Sequence, residues 1–298
     1  MDEQIFLEAI ARVSDTVGRI WITGSLGIQY TNPKNHWLYR RFKETTITDS
    51  EIFEWHTGDN PYFPKEELER LKYTLDGKSY RALFEINWDI QPSNVVYEDF
   101  SKENLLQEYK YDPLMETSVC IDWGFAHPAA ALFFQYDPSK DRVILFDEIV
   151  QSKLLLEDLH NKILAKPYKI HNWYCDIAGN QEREQTGYSN INWFRNKNIH
   201  FKFRTSAITH GITIVRAYIK NSKGQRRLYL VEPKVPKTID GLRNYSYAEK
   251  NGMLVNELPV KKDDDVCDSL RYYFVNRHDF TRPTNQFQEF SRWKAVGK

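Results

Sequence analysis

The sequence predicts an α/β protein whose core is a mixed sheet with helices on both faces. Three observations carry this. Strand-like runs follow one another at 118–123, 129–136 and 142–150, the pattern changes after residue 150 to alternating helical and extended segments, and a polar, charged stretch at 101–113 separates all of these from what precedes them. Strands joined by short turns pair antiparallel, while strands separated by helices are laid down parallel, so one sheet of both kinds is expected. The polar stretch ends in Pro113 and sets the domain boundary, giving a first part at 1–105 and a main domain at 106–298.

Each element has a local reason. In the first part, residues 18–25 (GRIWITGS) are a short apolar run closed by Gly and Ser, and read as a buried strand emptying into a polar loop, with a helix before it. Helices are expected at 36–42 and 65–75, the second opened by Pro64 and carrying Leu68, Leu71 and Leu75 at helical spacing, with an extended segment at 51–57 between them. In the main domain, residues 137–141 (DPSKD) have hairpin-loop composition between the second and third strands. A helix with Leu155, Leu159 and Ile163 follows, then a strand at 171–176, a helix at 191–196, a strand at 199–204 and a helix at 209–220. A strand at 228–232, a helix near 239–245, a hairpin turning at Asn251 and Gly252, and a helix starting near Asp264 complete it. That order is the layout of a ribonuclease H-like fold.

Composition narrows the class of function without choosing one. The chain has 41 Lys and Arg against 41 Asp and Glu, so no overall attraction to nucleic acid or membrane exists, and any DNA-binding surface must be local. Aromatic content of 14% within 41% hydrophobic residues supports a folded core rather than a disordered chain. Cys120, Cys175 and Cys267 form no CxxC pair, which points away from a disulfide framework or a structural zinc site and leaves them as small core residues. No apolar run approaches membrane-spanning length, and a soluble, cytoplasmic protein is expected.

Aspartates carry the chemistry. Asp122 lies in the otherwise apolar strand VCIDWG at 119–124, where an ionised carboxylate is costly unless a cation or backbone donors meet it. Asp176 ends an apolar strand and precedes a polar loop; in open α/β sheets ligands gather outside the carboxyl ends of strands, though an N-cap or turn aspartate has the same local look. In KKDDDVCDSLRY at 261–272, Asp264 and Asp268 are i,i+4, Asp265 and Asp268 are i,i+3, and Val266, Leu270, Tyr273 and Phe274 make the apolar stripe of the same helix. One or two acids at a helix start need only the helix dipole; four within six residues repel one another and favour a nearby cation.

If the first strand is central, with the strand ending at Asp176 beside it and the last helix across the same end, these oxygens converge. Carboxylates select Mg2+ or Mn2+, and the matching chemistry is phosphodiester hydrolysis by two ions. Asp122 would bridge both, Asp176 and Asp265 would each complete one coordination sphere, and Asp264 and Asp268 would serve as alternates or outer partners. Glu148, at the end of the third strand, is a spare acid or a surface glutamate. Arg195, Lys197, Lys202 and Arg204, and further on Lys220, Lys223, Arg226 and Arg227, are basic residues with aromatic neighbours that could track phosphates or simply be solvated.

At these residues the sequence resembles the large terminase subunits of tailed bacteriophages. The strand VCIDWG at 119–124, a second Asp after an apolar strand at Asp176, and the acidic helix start running into DSLRY at 268–272 carry the resemblance; relatives often place histidine at the position of Asp265, so either Asp264 or Asp265 reaches the metal. The resemblance implies a metal-dependent endonuclease that cuts concatemeric double-stranded DNA, acting in the cytoplasm of an infected bacterial host. It implies as partners a small terminase subunit, a portal protein and the rest of an ATPase motor. Residues 18–25 resemble the strand and coupling loop that end the family's ATPase core, with Thr23 and Ser25 at the γ-phosphate-sensing position, so 1–105 reads as an ATPase remnant. No GxxxxGK[ST] pattern occurs, so ATP enters only through a motor half supplied elsewhere. Alternatives are another ribonuclease H-like enzyme of the transposase or resolvase kind, and a catalytically idle packaging scaffold.

Overall fold

The structure, a computed structural model, describes residues 3–13, 18–24, 34, 36–44, 50–90, 93–124, 127–180, 189–250, 253–262 and 264–281. The chain packs into two compact units that interleave in sequence. One comprises Met1–Asn104, Ile212–Leu228 and Leu242–Lys262; the other comprises Leu105–Gly211, Tyr229–Gly241 and Asp263–Lys298. Beside the expected break at 105/106, two later stretches therefore pack with the first unit.

The first unit opens with α1 (Glu3–Val13), whose Phe6 packs its ring on Trp37 and Phe42. The expected helix at 36–42 includes a π-helical turn at Tyr39–Glu44. Then come α2 (Lys65–Thr74) and α3 (Gly77–Phe84). The sequence pattern missed α3, which Asp76 initiates by accepting hydrogen bonds from the backbone N–H groups of Lys78 and Ser79 at 3.0 Å each.

The buried strand expected at 18–25 is not found: residues 18–24 are irregular, Trp21 is 78% exposed and Thr23 is exposed. A strand needs a neighbouring backbone to satisfy its N–H and C=O groups, and among the described residues none pairs with this run. Residues 51–57 likewise join no strand. Ser25 and the turn expected at Asn251 and Gly252 lie outside the described residues.

The second unit holds the sheet. Its elements are β1 (Leu105–Leu106), β2 (Glu116–Asp122), β3 (Ala129–Asp137), β4 (Arg142–Gln151), α4 (Leu156–Leu164), β5 (Asn172–Cys175), α5 (Asn190–Arg195) and β6 (Phe201–Lys202). Three more, α6 (Ile208–Ile219), β7 (Leu228–Val231) and α7 (Pro236–Asn244), pass between the units; β8 (Tyr247–Lys250) and β9 (Met253–Pro259) pair antiparallel in the first, and α8 (Asp265–Thr281) closes the second. Among the described residues the strands of the sheet run in the order β1-β7-β4-β3-β2-β5-β6. The β2/β3 and β3/β4 pairs are antiparallel and the β2/β5 and β5/β6 pairs parallel, which is the mixed sheet expected, with β2 inside it. The strand expected at 199–204 shrinks to the two residues of β6, and the two residues of β1 were not anticipated.

Both faces are covered. Side chains alternate along a strand, so Val119 and Ile121 share one face, where with Phe133 and Phe146 they pack on Leu159 and Ile163 of α4 and Ile191 and Phe194 of α5. Cys120 and Asp122 fall on the other face, over which α8 lies against β2, β3 and β5. Tyr273 of α8 stacks on Phe134 with ring centroids 3.8 Å apart and meets Tyr174 edge-on at 5.7 Å.

Candidate functional site

Register and alternation bring the acids to one end of one face. In the parallel β2/β5 pair Ile121 lies beside Cys175, so Asp122 and Asp176 are the next residues at the carboxyl ends of adjacent strands. Since Ile121 enters the α4/α5 core, alternation turns Asp122, the last residue of β2, toward α8, while Asp176 directly follows the end of β5. That helix is fastened beside both: Ser269 Oγ donates to the Cys120 carbonyl at 3.0 Å, and Asn276 Nδ2 donates to the Cys175 carbonyl at 3.4 Å. Asp264 directly precedes it, and its first turn carries Asp265 and Asp268.

The electrostatics follow from that crowding. Burial, then the fields of Asp268, Asp265, Asp176 and Asp264, push the Asp122 carboxyl well above the usual carboxylate range. Asp265 is raised chiefly by burial, with its own backbone N–H, which lowers it, partly offsetting this; Asp264 raises it further. Asp268 is raised by burial too, although Arg271, 3.0 Å away, pulls in the opposite direction. The five aspartates thus share one neighbourhood, yet among the described residues no group of three or more His, Cys, Asp or Glu side chains stands ready-made to hold a metal ion. Chemically the donor set is oxygen only. Burial raises the thiols of Cys120, Cys175 and Cys267, and a protonated thiol is a poor ligand, so these three act as core residues.

Two glycines shape the rim. A Cβ on Gly124 would come within 2.3 Å of the Pro128 carbonyl oxygen, and one on Gly179 within 2.2 Å of Trp123 Nε1. Through Gly124 the backbone at 127–128 folds back on the end of β2 and brings His127 near Asp265, whose ionised form its field favours. No spacing in the sequence singled out His127. Glu148 takes another role: its carboxylate accepts from the N–H of Lys237 at 2.8 Å and from the N–H and hydroxyl of Thr238 at 2.9 and 2.7 Å, capping α7.

No protein-family profile matches the chain. Over 233 residues it is 21% identical to the large terminase subunit of Escherichia phage T5, the match taking in 74% of this chain and 50% of the relative. The large terminase of a thermophilic bacteriophage, in complex with ATP-gamma-S, superposes with a TM-score of 0.65 at 16% identity, over 93% of this chain and 67% of that one. The nuclease domain of the P22 large terminase superposes with a TM-score of 0.50 at 19% identity, over 64% of this chain and 98% of the domain. In sequence and fold, this chain is similar to phage large terminase subunits. It spans about half the length of the curated relative it matches.

In this terminase-like chain the basic residues divide. The connection from β5 through α5 to β6 returns to the opposite end of the sheet before β6 begins. Arg195 and Lys197 therefore lie at the amino end of β6, and only Arg204 follows its carboxyl end, the end where the acids sit. Arg195 bonds Asn192 at 2.9 Å, Lys197 lies over the Trp193 ring, and Lys202 bonds Asn172 at 2.8 Å. The second basic group belongs to the first unit and is engaged there: Lys220 pairs with Asp99, Lys223 with Glu69 and Arg226 with Glu103, while Arg227 is sandwiched between the Tyr73 and Tyr218 rings. No described helix is long and apolar enough to cross a membrane.

Proposed function

We propose that this chain is the nuclease part of a DNA-packaging terminase, a divalent-metal-dependent endonuclease that cuts concatemeric double-stranded DNA. The observation that carries this reading is the crowding of Asp122, Asp176, Asp264, Asp265 and Asp268 at the carboxyl end of a ribonuclease H-like sheet, where burial and mutual repulsion make uncompensated charge costly. Oxygen-only donors of this kind suit Mg2+ or Mn2+. Asp122, which feels the fields of the other four acids, would be the shared ligand, with Asp176 and either Asp265 or Asp264 completing the set. Asp268, tied to Arg271, would act as an outer partner. Held there, such ions would supply a nucleophile at neutral pH and stabilise the leaving oxygen. Arg204 stands at the acid end to meet phosphate without reading sequence, and Lys202, Arg195 and Lys197 lie farther along the same edge.

As part of a packaging machine in the cytoplasm of an infected bacterium, the chain would receive DNA from an ATPase motor, with a small terminase subunit and a portal protein as partners. ATP belongs to that motor, and Thr23 with Ser25 would couple to it only in its presence. The test is nicking of supercoiled plasmid in Mn2+ or Mg2+ against a chelator control. Cutting by the native chain is expected, with a loss of at least ~100-fold in Asp122→Ala at unchanged circular dichroism, the upper end of what losing an outer metal partner costs. Native protein that leaves plasmid intact in both ions would sink the reading in favour of a packaging scaffold.

A further inference from the structure

We propose that Arg271, held in a fixed path by Gly211 of α6, is a positioning residue that orients Asp268 within the carboxylate cluster. This rests on the metal-dependent reading above and goes beyond it by giving α6 a part in the site.

Three contacts make the chain of support. Arg271 is 4% exposed, and its Nη2 lies 3.0 Å from Asp268 Oδ1, one turn earlier on α8. The guanidinium lies over the Tyr272 ring, 4.5 Å from its centroid. At Gly211 a Cβ would come within 2.4 Å of Arg271 Cγ, 2.7 Å of Cδ and 3.2 Å of Val275 Cγ2. The aliphatic stem of Arg271 therefore runs against bare α6 backbone, and any larger residue at 211 must displace it. The same stretch of α8 is bonded to the sheet through Ser269 and Asn276, at the carbonyls of Cys120 and Cys175.

A buried guanidinium in a fixed channel leaves a carboxylate few orientations. Its planar fork also fixes direction in a way that an ammonium does not. With one Asp268 oxygen held by Arg271, the other is presented in one direction, and the ordering of Asp268 no longer has to be supplied when a cation arrives. Charge alone does not do this, so Arg271→Lys, which keeps the charge, separates orientation from neutralisation.

The experiment is Mn2+ titration of the full chain, with free ion read by electron paramagnetic resonance and folding followed by thermal melts. Arg271→Lys and Gly211→Ala should each weaken Mn2+ binding by roughly 10–100-fold while the protein stays folded, the range expected for an outer-shell partner. In an Asp268→Asn background, Arg271→Lys should add little further loss, because the two act through one contact. Native-like affinity in Arg271→Lys, or losses that simply add in the double variant, would overturn the inference. If Gly211→Ala melts below the assay temperature, Arg271→Lys decides alone. Failure of the native chain to bind Mn2+ at all is a separate result: it removes the metal reading and this inference with it.

Discussion

Asp122 ends a strand in which the five residues before it are buried, and four other aspartates act on it. Its folded carboxyl is raised, whereas in the unfolded chain it ionises in the ordinary range near ~4. Such a group favours the folded state below the unfolded value and loses that contribution as pH rises toward the folded value, because the unfolded chain then gives up its proton more readily. Relative to Asp122→Asn, the metal-free native protein should accordingly lose melting temperature from acid to neutral pH, and Mn2+ should restore it. In Asp122→Asn the pH slope should flatten, and the metal-free melting temperature at neutral pH should rise by roughly 2–4 °C per kcal/mol of repulsion relieved. A melt no higher than native at neutral pH would count against the strained cluster. Most of the candidate acidic cluster was legible at this scale, because carboxylates in an apolar strand and at i,i+3 and i,i+4 are patterns of a single segment. Arg271 was legible in hindsight as the i+3 neighbour of Asp268. His127 was not, since its approach to Asp265 depends on how the chain folds back at Gly124 rather than on spacing.

Glu148 shows why a residue's type does not settle its role until its element is placed. It projects from β4 to the start of α7, where three donors converge on one carboxylate, so it completes a helix terminus. Glu148→Ala should destabilise by about 1–2 kcal/mol, as for loss of a good cap, while metal-dependent cutting stays within about twofold of native per folded molecule. A large loss of cutting with native stability would return Glu148 to the site. Elements themselves were legible where one pattern dominates: β2, β3 and β4 as apolar runs between turns, and α6 and α8 as apolar stripes. At α3 the pattern was hidden by Gly77 and Ser79, although Asp76 ahead of them is a readable cap. The run at 18–24 failed for the opposite reason: its composition suits a strand, but a strand is defined by a partner that no local pattern reveals. β6 shortened likewise, only Phe201 and Lys202 finding partners on β5.

At the scale of the whole chain, sequence order and packing order differ. After building most of the sheet, the chain returns to the first unit through 212–228 and again through 242–262. The reason lies in specific bonds: Asn104 Nδ2 donates to the carbonyls of Ile219 and Leu228 at 3.0 and 2.9 Å, Arg216 Nε donates to the Val96 carbonyl at 2.7 Å, and the Val96 N–H donates to the Tyr245 carbonyl at 2.8 Å. Composition placed a boundary near 105 but had no means of seeing that later segments complete the earlier unit, since such bonds join residues more than a hundred positions apart. All five aspartates lie in the second unit, so a chain beginning at Leu105 keeps every acid while stripping partners from those two stretches. At about 1 kcal/mol for each lost buried hydrogen bond, it should be less stable by at least ~2 kcal/mol and melt roughly 4–8 °C below the full chain. Plasmid nicking in Mn2+ should persist below that melting point. Should the shortened chain melt with the full one, the two returning stretches owe nothing to residues 1–104, and the interleaving would have no energetic weight.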